Sequence, residues 1–171
     1  MFRAATLLLA LLLPSGCGLR PLYGEHRANA APTALNDVVV AAIPERTGQL
    51  LRNRLVEQIN PQGQPNQPRY RLDVGLSERK EGLAIRQDDS ATRISLILVA
   101  DFALVELAAG KPVMTGSART VVGYNIIRSD YASIVSERDA QRRAAVELAD
   151  EIKTRLSLFL ARHGAGTAAA K

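Results

Sequence analysis

Apolar residues occupy every second position from Ile94 to Leu104, and this alternation constrains the fold more strongly than any other feature of the chain. Successive side chains of a β-strand point to opposite faces, so the spacing predicts a long strand over 91–107 with one continuous buried face. The other face of this segment carries a mixture of charged, small and apolar residues. The chain therefore requires a sheet that an apolar layer covers on one side.

Three shorter patterns predict the remaining strands. β-Branched and small apolar residues fill the segment 37–43, and apolar and polar residues alternate from Tyr70 to Ser77. A tight turn at 109–111 is expected to join the long strand to a further strand that ends near Tyr124. These patterns together indicate one sheet of four strands, largely antiparallel.

Two amphipathic helices supply the apolar cover. Over 46–59, Leu51, Leu55 and Ile59 are four residues apart and share one helical face. A long helix is predicted over 131–162, with an apolar stripe of Ile134, Ala145, Leu148, Ile152, Leu156 and Phe159. The order β-α-β-β-β-α predicts an α+β fold, a two-layer sandwich with a four-stranded, largely antiparallel sheet and two helices on one face. The other face is expected to be open to solvent or to a partner, and it carries Arg69, Arg71, Asp73, Arg93 and Asp101.

Residues 1–16 have the organisation of a secretory signal peptide. Arg3 precedes an apolar run that ends at Leu13, and small residues then lead to Cys17. A transmembrane helix would need about 20 apolar residues. Because the run is about half that length, the transmembrane alternative is disfavoured.

Cys17 is the only cysteine in the chain, which excludes an intramolecular disulfide. A free thiol in an exported protein invites mispairing, so this residue needs another role. Gly16-Cys17 resembles a bacterial lipobox, in which the cysteine receives an S-diacylglycerol and an N-acyl chain, although Pro14 stands at the usual leucine position. Two or more acyl chains anchor a protein firmly. We therefore expect lipidation of Cys17, and by the same resemblance Gly18 favours sorting to the outer membrane.

The remaining chain has the organisation of one small domain between two polar segments. Residues 17–36 are expected to form the acylated N-terminus and a flexible tether, because their later part is small, polar and aperiodic. Residues 37–162 form the predicted single α+β domain. Residues 163–171 are expected to be a disordered tail.

Catalytic and metal-binding motifs are absent from the sequence. Neither histidine, His26 or His163, lies near a candidate nucleophile or a second metal ligand, and no nucleotide-binding or zinc-protease motif occurs. We therefore predict that the protein is not an enzyme and holds neither a metal nor a cofactor. A formal net charge of +5 favours an anionic partner. Export and the absence of tryptophan disfavour nucleic acid.

A basic cluster surrounds the predicted turn Asp88-Asp89-Ser90. Its members are Arg79, Lys80, Arg86 and Arg93. Two interpretations of the cluster stay open at this point. It is either a solvated loop tip or a landing site for phosphate groups, which accept charge-assisted hydrogen bonds from basic side chains.

Two motifs give the chain a resemblance to a known family. The segment 17–24, CGLRPLYG, is similar to the start CGFRPLYG of the lipopolysaccharide-assembly lipoproteins (the LptE-like family), and LRNRL at 51–55 matches that family's first-helix motif. The order of elements also agrees, so the resemblance covers residues 17–160. It implies an outer-membrane lipoprotein at the periplasmic face. Such a protein plugs and helps assemble the lipopolysaccharide translocon, an LptD-like β-barrel, and binds lipopolysaccharide during its delivery to the outer leaflet.

The resemblance also implies positions for contacts with lipopolysaccharide. Family members carry an arginine after an apolar residue in the turn before the long strand, where this chain has Arg86. A second basic contact, near the start of the last helix, corresponds to Arg138, and Arg79, Lys80 and Arg93 complete the candidate site. The alternative function is that of an auxiliary lipoprotein in an ABC-type lipid transport system, whose partner would be a periplasm-spanning transporter instead of a barrel.

Overall fold

The computed structural model of the chain describes residues 31–85, 91–126 and 129–169. One four-stranded sheet has the order β1-β2-β3-β4. Its strands are β1 (Val38–Val40), β2 (Tyr70–Ile85), β3 (Ala91–Glu106) and β4 (Lys111–Asn125), and the helices are α1 (Ala31–Asn36), α2 (Arg46–Ile59) and α3 (Asp130–Ala169). β1 is parallel to β2, whereas β2, β3 and β4 pair antiparallel. The predicted α+β fold with a largely antiparallel sheet is confirmed.

The core lies between one face of the sheet and the helices α2 and α3. The alternating residues of β3 form its centre, since Leu96, Leu98 and Leu104 are fully buried and Phe102 is 3% exposed. The helices contribute the buried residues Leu51, Leu55, Ile59, Ala144, Leu148, Ile152 and Leu156. Burial of a large aliphatic side chain is favourable by about 1.5–3 kcal/mol. This apolar layer is therefore the main source of stability of the sandwich.

The buried stripe of α3 begins later than the sequence predicts. Ile134 was expected to be its first member but is 50% exposed, whereas Ala140 is fully buried. The physical reason is that the first turns of α3 face a charged part of β2. Glu137, which lies between these two residues, contacts Lys80 of β2 instead of the core.

Several elements have different limits from those predicted. β1 ends at Val40, short of the predicted residue 43, and α3 continues to Ala169, through part of the predicted tail. β2 continues beyond Ser77 to Ile85 and remains paired with β3. From Glu78 to Glu81 β2 carries charged residues on both faces, so hydropathy no longer marks this part as a strand although its backbone ladder continues.

Helix α1 lies in the segment that was predicted to be a flexible tether. It contacts α3, and its Leu35 is only 9% exposed. One buried leucine among small and polar residues produces no periodic pattern, which explains why the sequence does not reveal this helix. In the described part of the chain, secondary structure therefore begins at Ala31, before the predicted domain boundary at residue 37.

Candidate functional site

The face of the sheet opposite the helices is open, as the sequence pattern predicts. Along β4, Ser117, Arg119 and Val121 are exposed on this face, whereas the alternate residues Ala118 and Thr120 are buried against α3. The charges of β2 on this face are partly neutralised by one another, since Arg71 Nε lies 2.8 Å from Asp73 Oδ1. The open face is thus a solvent-exposed surface of charged, hydroxyl and apolar side chains, and no other element among the described residues covers it.

Two adjacent rows of side chains cross the open face and form what we call the central patch. Arg79, Ile97 and Val121 are register partners across β2, β3 and β4, and the next row consists of Ser77, Val99 and Arg119. Val121 is 47% exposed. These residues, except Val121, line a pocket of about 320 Å³ together with Glu78 and Glu81.

The two arginines of the central patch are available for an external anion. Neither Arg79 nor Arg119 forms a salt bridge with any residue in the described part of the chain. Ile97 and Val99 separate them and form an apolar floor. An arginine pair above an apolar floor suits a ligand that joins an anionic group to an apolar one, although Glu81 also lines the pocket and reduces its positive charge.

Arg93 extends the basic surface toward one end of β3. It pairs with Ala84 on β2 and with Asn125 on β4. A Cβ atom at Gly123 would lie 3.0 Å from Nη2 and 3.2 Å from Nε of Arg93. The missing side chain at Gly123 therefore leaves the space in which the guanidinium of Arg93 packs on the open face.

Lys80 does not join Arg79 and Arg93, although the sequence groups them. Adjacent residues of a strand point to opposite faces, and Lys80 consequently points toward α3. Its Nζ atom lies 2.6 Å from Oε1 of Glu137 and 3.9 Å from Oε1 of Glu78. The hydrogen bond to Glu137 raises the pKa of Lys80, against the opposing effect of partial burial. The predicted basic cluster thus divides between the two faces of the sheet.

The other predicted site residues occupy separate positions. Arg138 is exposed on α3, directly after Glu137, and so lies level with Lys80 on the helical side. Arg86 and Cys17 fall outside the described residues. Of the predicted basic residues, the structure therefore places Arg79 and Arg93 on one face of the sheet.

A polar network that the sequence does not reveal connects β2, α2 and α3. Glu78 accepts hydrogen bonds from Oγ1 of Thr47 at 2.9 Å and from Nε2 of Gln141 at 3.2 Å. Oε1 of Gln141 accepts a hydrogen bond from Nη1 of Arg46 at 2.7 Å. Thr47 and Gln141 are 5% and 9% exposed, so their polar groups need these partners. An alternation extended past Ser77 would have placed Glu78 on the buried face and indicated this network.

The network borders a pocket of about 540 Å³ next to the start of α2. Glu45, which precedes α2 and lines this pocket, has φ 63° and ψ 167°. Only glycine adopts this backbone region readily, and another residue there costs about 1–3 kcal/mol. The side chain of Glu45 makes no hydrogen bond to cap the helix. The next two residues, Arg46 and Thr47, make the contacts of the network directly after this strained position.

Two kinds of feature are absent from the described residues. No group of histidine, cysteine and carboxylate side chains in 31–85, 91–126 and 129–169 has the arrangement of a metal site. Over the same ranges, none of the helices combines the length and the hydropathy needed to span a membrane.

A comparison with protein-family models decides the family. Residues 35–156 match the model described as Lipopolysaccharide-assembly, LptE. The chain belongs to the LptE family. The resemblance found in the sequence is thereby confirmed, and membership assigns the protein to lipopolysaccharide assembly and outer-membrane biogenesis as a lipoprotein. None of the curated protein sequences compared with the chain matches it.

Solved structures of other lipoproteins have the same fold. A lipoprotein from Caulobacter crescentus is 28% identical to this LptE-family protein, with a TM-score of 0.65, and the match covers 77% of this chain and 96% of the other. The minor lipoprotein of Acinetobacter baumannii is 19% identical, with a TM-score of 0.58 and coverage of 72% and 92%. The rare lipoprotein B of Shewanella oneidensis is 15% identical, with a TM-score of 0.54 and coverage of 70% and 92%.

Proposed function

We propose that this LptE-family protein plugs the β-barrel of the lipopolysaccharide translocon, helps that barrel to assemble, and binds lipopolysaccharide during its delivery to the outer leaflet. A lipid on Cys17 holds it at the periplasmic face of the outer membrane. The observation that carries the proposal is the open sheet face with its central patch and Arg93. A non-catalytic domain with one uncovered, arginine-bearing face is suited to contact with a partner and a ligand.

The dimensions and polarity of the sheet support the role of a plug. The lumen of an outer-membrane barrel is polar, and the open face presents charged and hydroxyl side chains along all three long strands. β2 and β3 each contain 16 residues. A strand of this length spans about 50 Å, which exceeds the hydrocarbon thickness of about 30 Å. The strands are therefore long enough for the domain to extend over the height of a barrel lumen, as the proposal requires.

The chemistry of the central patch supports binding of lipopolysaccharide. Lipopolysaccharide joins phosphate groups to acyl chains, and arginine binds phosphate through two parallel hydrogen bonds. Arg79 and Arg119 offer such donors on both sides of Ile97 and Val99. Arg93 adds a cation on the same face, and Arg86 belongs to the proposed site through its position in the family motif.

Photo-crosslinking tests the proposal. A crosslinking residue at Val121 should capture lipopolysaccharide, because this position is 47% exposed in the central patch. The same probe at Val146, which is 38% exposed on α3, serves as a matched control and should give no lipopolysaccharide adduct. A large outer-membrane β-barrel should co-purify with the unmodified protein. Extracts without such a barrel would contradict the plug, and a periplasm-spanning transporter in its place would support the ABC-type alternative.

Charge reversal tests the basic contacts separately. Arg86→Glu and Arg93→Glu should each weaken binding of purified lipopolysaccharide, because a repulsive carboxylate would replace a phosphate-binding guanidinium. Arg142→Glu introduces the same change of charge on α3 and should leave binding unaltered. Unchanged binding in the Arg86 or Arg93 variant would remove that residue from the site. For the anchor, Cys17→Ser should abolish labelling with palmitate.

A further inference from the structure

A second basic pocket lies at the end of the sandwich where α1 enters the fold. The carbonyl of Asp37, which follows α1, accepts hydrogen bonds from the backbone N–H groups of Arg69 and Tyr70. Tyr70 pairs with Glu106 at the end of β3. The end of α1, the start of β2 and the β3–β4 turn therefore lie at the same end of the sheet. The part of α3 from Arg155 to His163 lies beside Met114, which follows that turn.

The pocket combines an apolar floor with cationic walls. It has a volume of about 220 Å³ and is lined by Met114, Arg155, Leu158, Phe159, Arg162 and His163. Leu158 is 41% exposed. The ring of His163 stacks on Phe159 with 3.9 Å between the ring centroids. No acidic side chain belongs to this lining, so its charged side chains favour an anion over a cation.

The two arginines of this pocket are held in place by their neighbours. Nη1 of Arg155 donates a 2.6 Å hydrogen bond to the carbonyl of Ser117 on β4, and its other terminal nitrogen pairs with Glu151. Nε of Arg162 donates to the carbonyl of Leu158 at 3.1 Å, and the side chain of Arg162 is exposed. Arg162 is therefore the donor best placed to meet an incoming anion.

We infer that this pocket binds the phosphate headgroup of an anionic phospholipid and so seats this end of the domain on the membrane. The inference rests on the lipid anchor of the proposed function. α1 begins 14 residues after Cys17 (31 minus 17), a stretch of chain that spans at most about 50 Å. The exposed Leu107 and Leu158, at 40% and 41%, add apolar contact at the same end. A basic, partly apolar surface that the linking chain allows to reach the same membrane as an acyl anchor would supply the second signal that stable membrane attachment requires.

A single methyl group can report on the pocket. The chain has only two methionines, Met1 and Met114, so ¹³C-methyl labelling of methionine in the full-length protein gives one signal from the pocket. Soluble short-chain phosphatidylglycerol should shift this signal saturably. Arg162→Glu should weaken the apparent affinity about tenfold or more, since the change reverses one charge at an anionic headgroup. Arg142→Glu, with the same charge change on the same helix, should bind like the wild type.

Three results would overturn the inference. A shift of equal size with inorganic phosphate at the same concentration would indicate a simple anion site, and an equal shift with short-chain phosphatidylcholine would indicate apolar contact without charge selection. Equal affinities of the Arg162 and Arg142 variants would exclude Arg162 as the donor. Because this titration involves neither lipopolysaccharide nor a barrel, its failure is distinguishable from failure of the proposed function.

Discussion

Gly116 on β4 is a position where one methyl group should measurably weaken the fold. In Gly116→Ala the added Cβ would lie 2.7 Å from Cζ and 3.2 Å from Cε1 and Cε2 of Phe102. Carbon atoms in favourable contact are about 3.5–4.0 Å apart. Phe102 is 3% exposed, so its ring has little space into which it can retreat. Overpacking of this kind destabilises the folded state by about 1–3 kcal/mol. Alanine also lowers the conformational entropy of the unfolded chain relative to glycine, which offsets about 0.4–1 kcal/mol of this loss. We expect a net loss of about 1–2 kcal/mol in the free energy of unfolding.

Urea denaturation followed by circular dichroism measures this loss, because the chain has no tryptophan for a fluorescence assay. Gly75→Ala is the matched control. It lies on the open face of β2, where the nearest atom to an added Cβ is the carbonyl oxygen of Asp101 at 3.9 Å, and it should cause no loss. In a Phe102→Leu background the cost of Gly116→Ala should shrink, since the ring atoms nearest to the new methyl are removed. An unchanged cost in that background would refute the contact as the cause.

Further predictions concern strain, core packing and pH. Glu45→Gly should raise the melting temperature, because relief of about 1–3 kcal/mol of backbone strain exceeds the entropic cost of glycine, about 0.4–1 kcal/mol; a lower melting temperature would contradict the strain. Leu148→Ala, at a fully buried site of α3, should lower the free energy of unfolding by about 2–5 kcal/mol, whereas Val146→Ala on the exposed side should change it by less than about 0.5 kcal/mol. The pKa of Lys80 is raised mainly by its hydrogen bond to Glu137, and the pKa of Tyr124 is raised mainly by burial. The folded state thus keeps both protons to higher pH than the unfolded state, so stability should be fully present below about pH 10 and fall above it; a urea midpoint that stays constant through this range would contradict the assignment.

The elements that sequence patterns predict are those with an apolar face of regular period. β3 follows from the alternation between Ile94 and Leu104, and α2 follows from Leu51, Leu55 and Ile59 at helical spacing. Both predictions are confirmed, and the apolar residues that carry these patterns lie in the core or pack against it. Helix α1 has one buried leucine and therefore no period to detect.

The candidate site was less predictable because its residues are polar. Arg79 and Lys80 are neighbours in sequence, and a turn would bring their charges together, but the continuation of β2 sends them to opposite faces. For Glu78 an extended alternation gives the correct face, but its partners Thr47 and Gln141 are distant in sequence and no pattern identifies them. Hydropathy indicates which side chains are buried because they are apolar. It does not indicate which polar side chains are buried because they hydrogen-bond to one another.

The short first strand has a consequence for how the isolated protein should behave. β1 pairs with β2 only from Tyr70 to Leu72, so the outer backbone edge of β2 beyond residue 72 has no strand beside it in the described part of the chain. β4 likewise has one strand neighbour. Unpaired backbone N–H and C=O groups along such sheet edges can pair with a strand of another chain. The protein purified without a natural partner should therefore tend to aggregate through pairing of sheet edges between copies, even where the core of each copy is correctly folded.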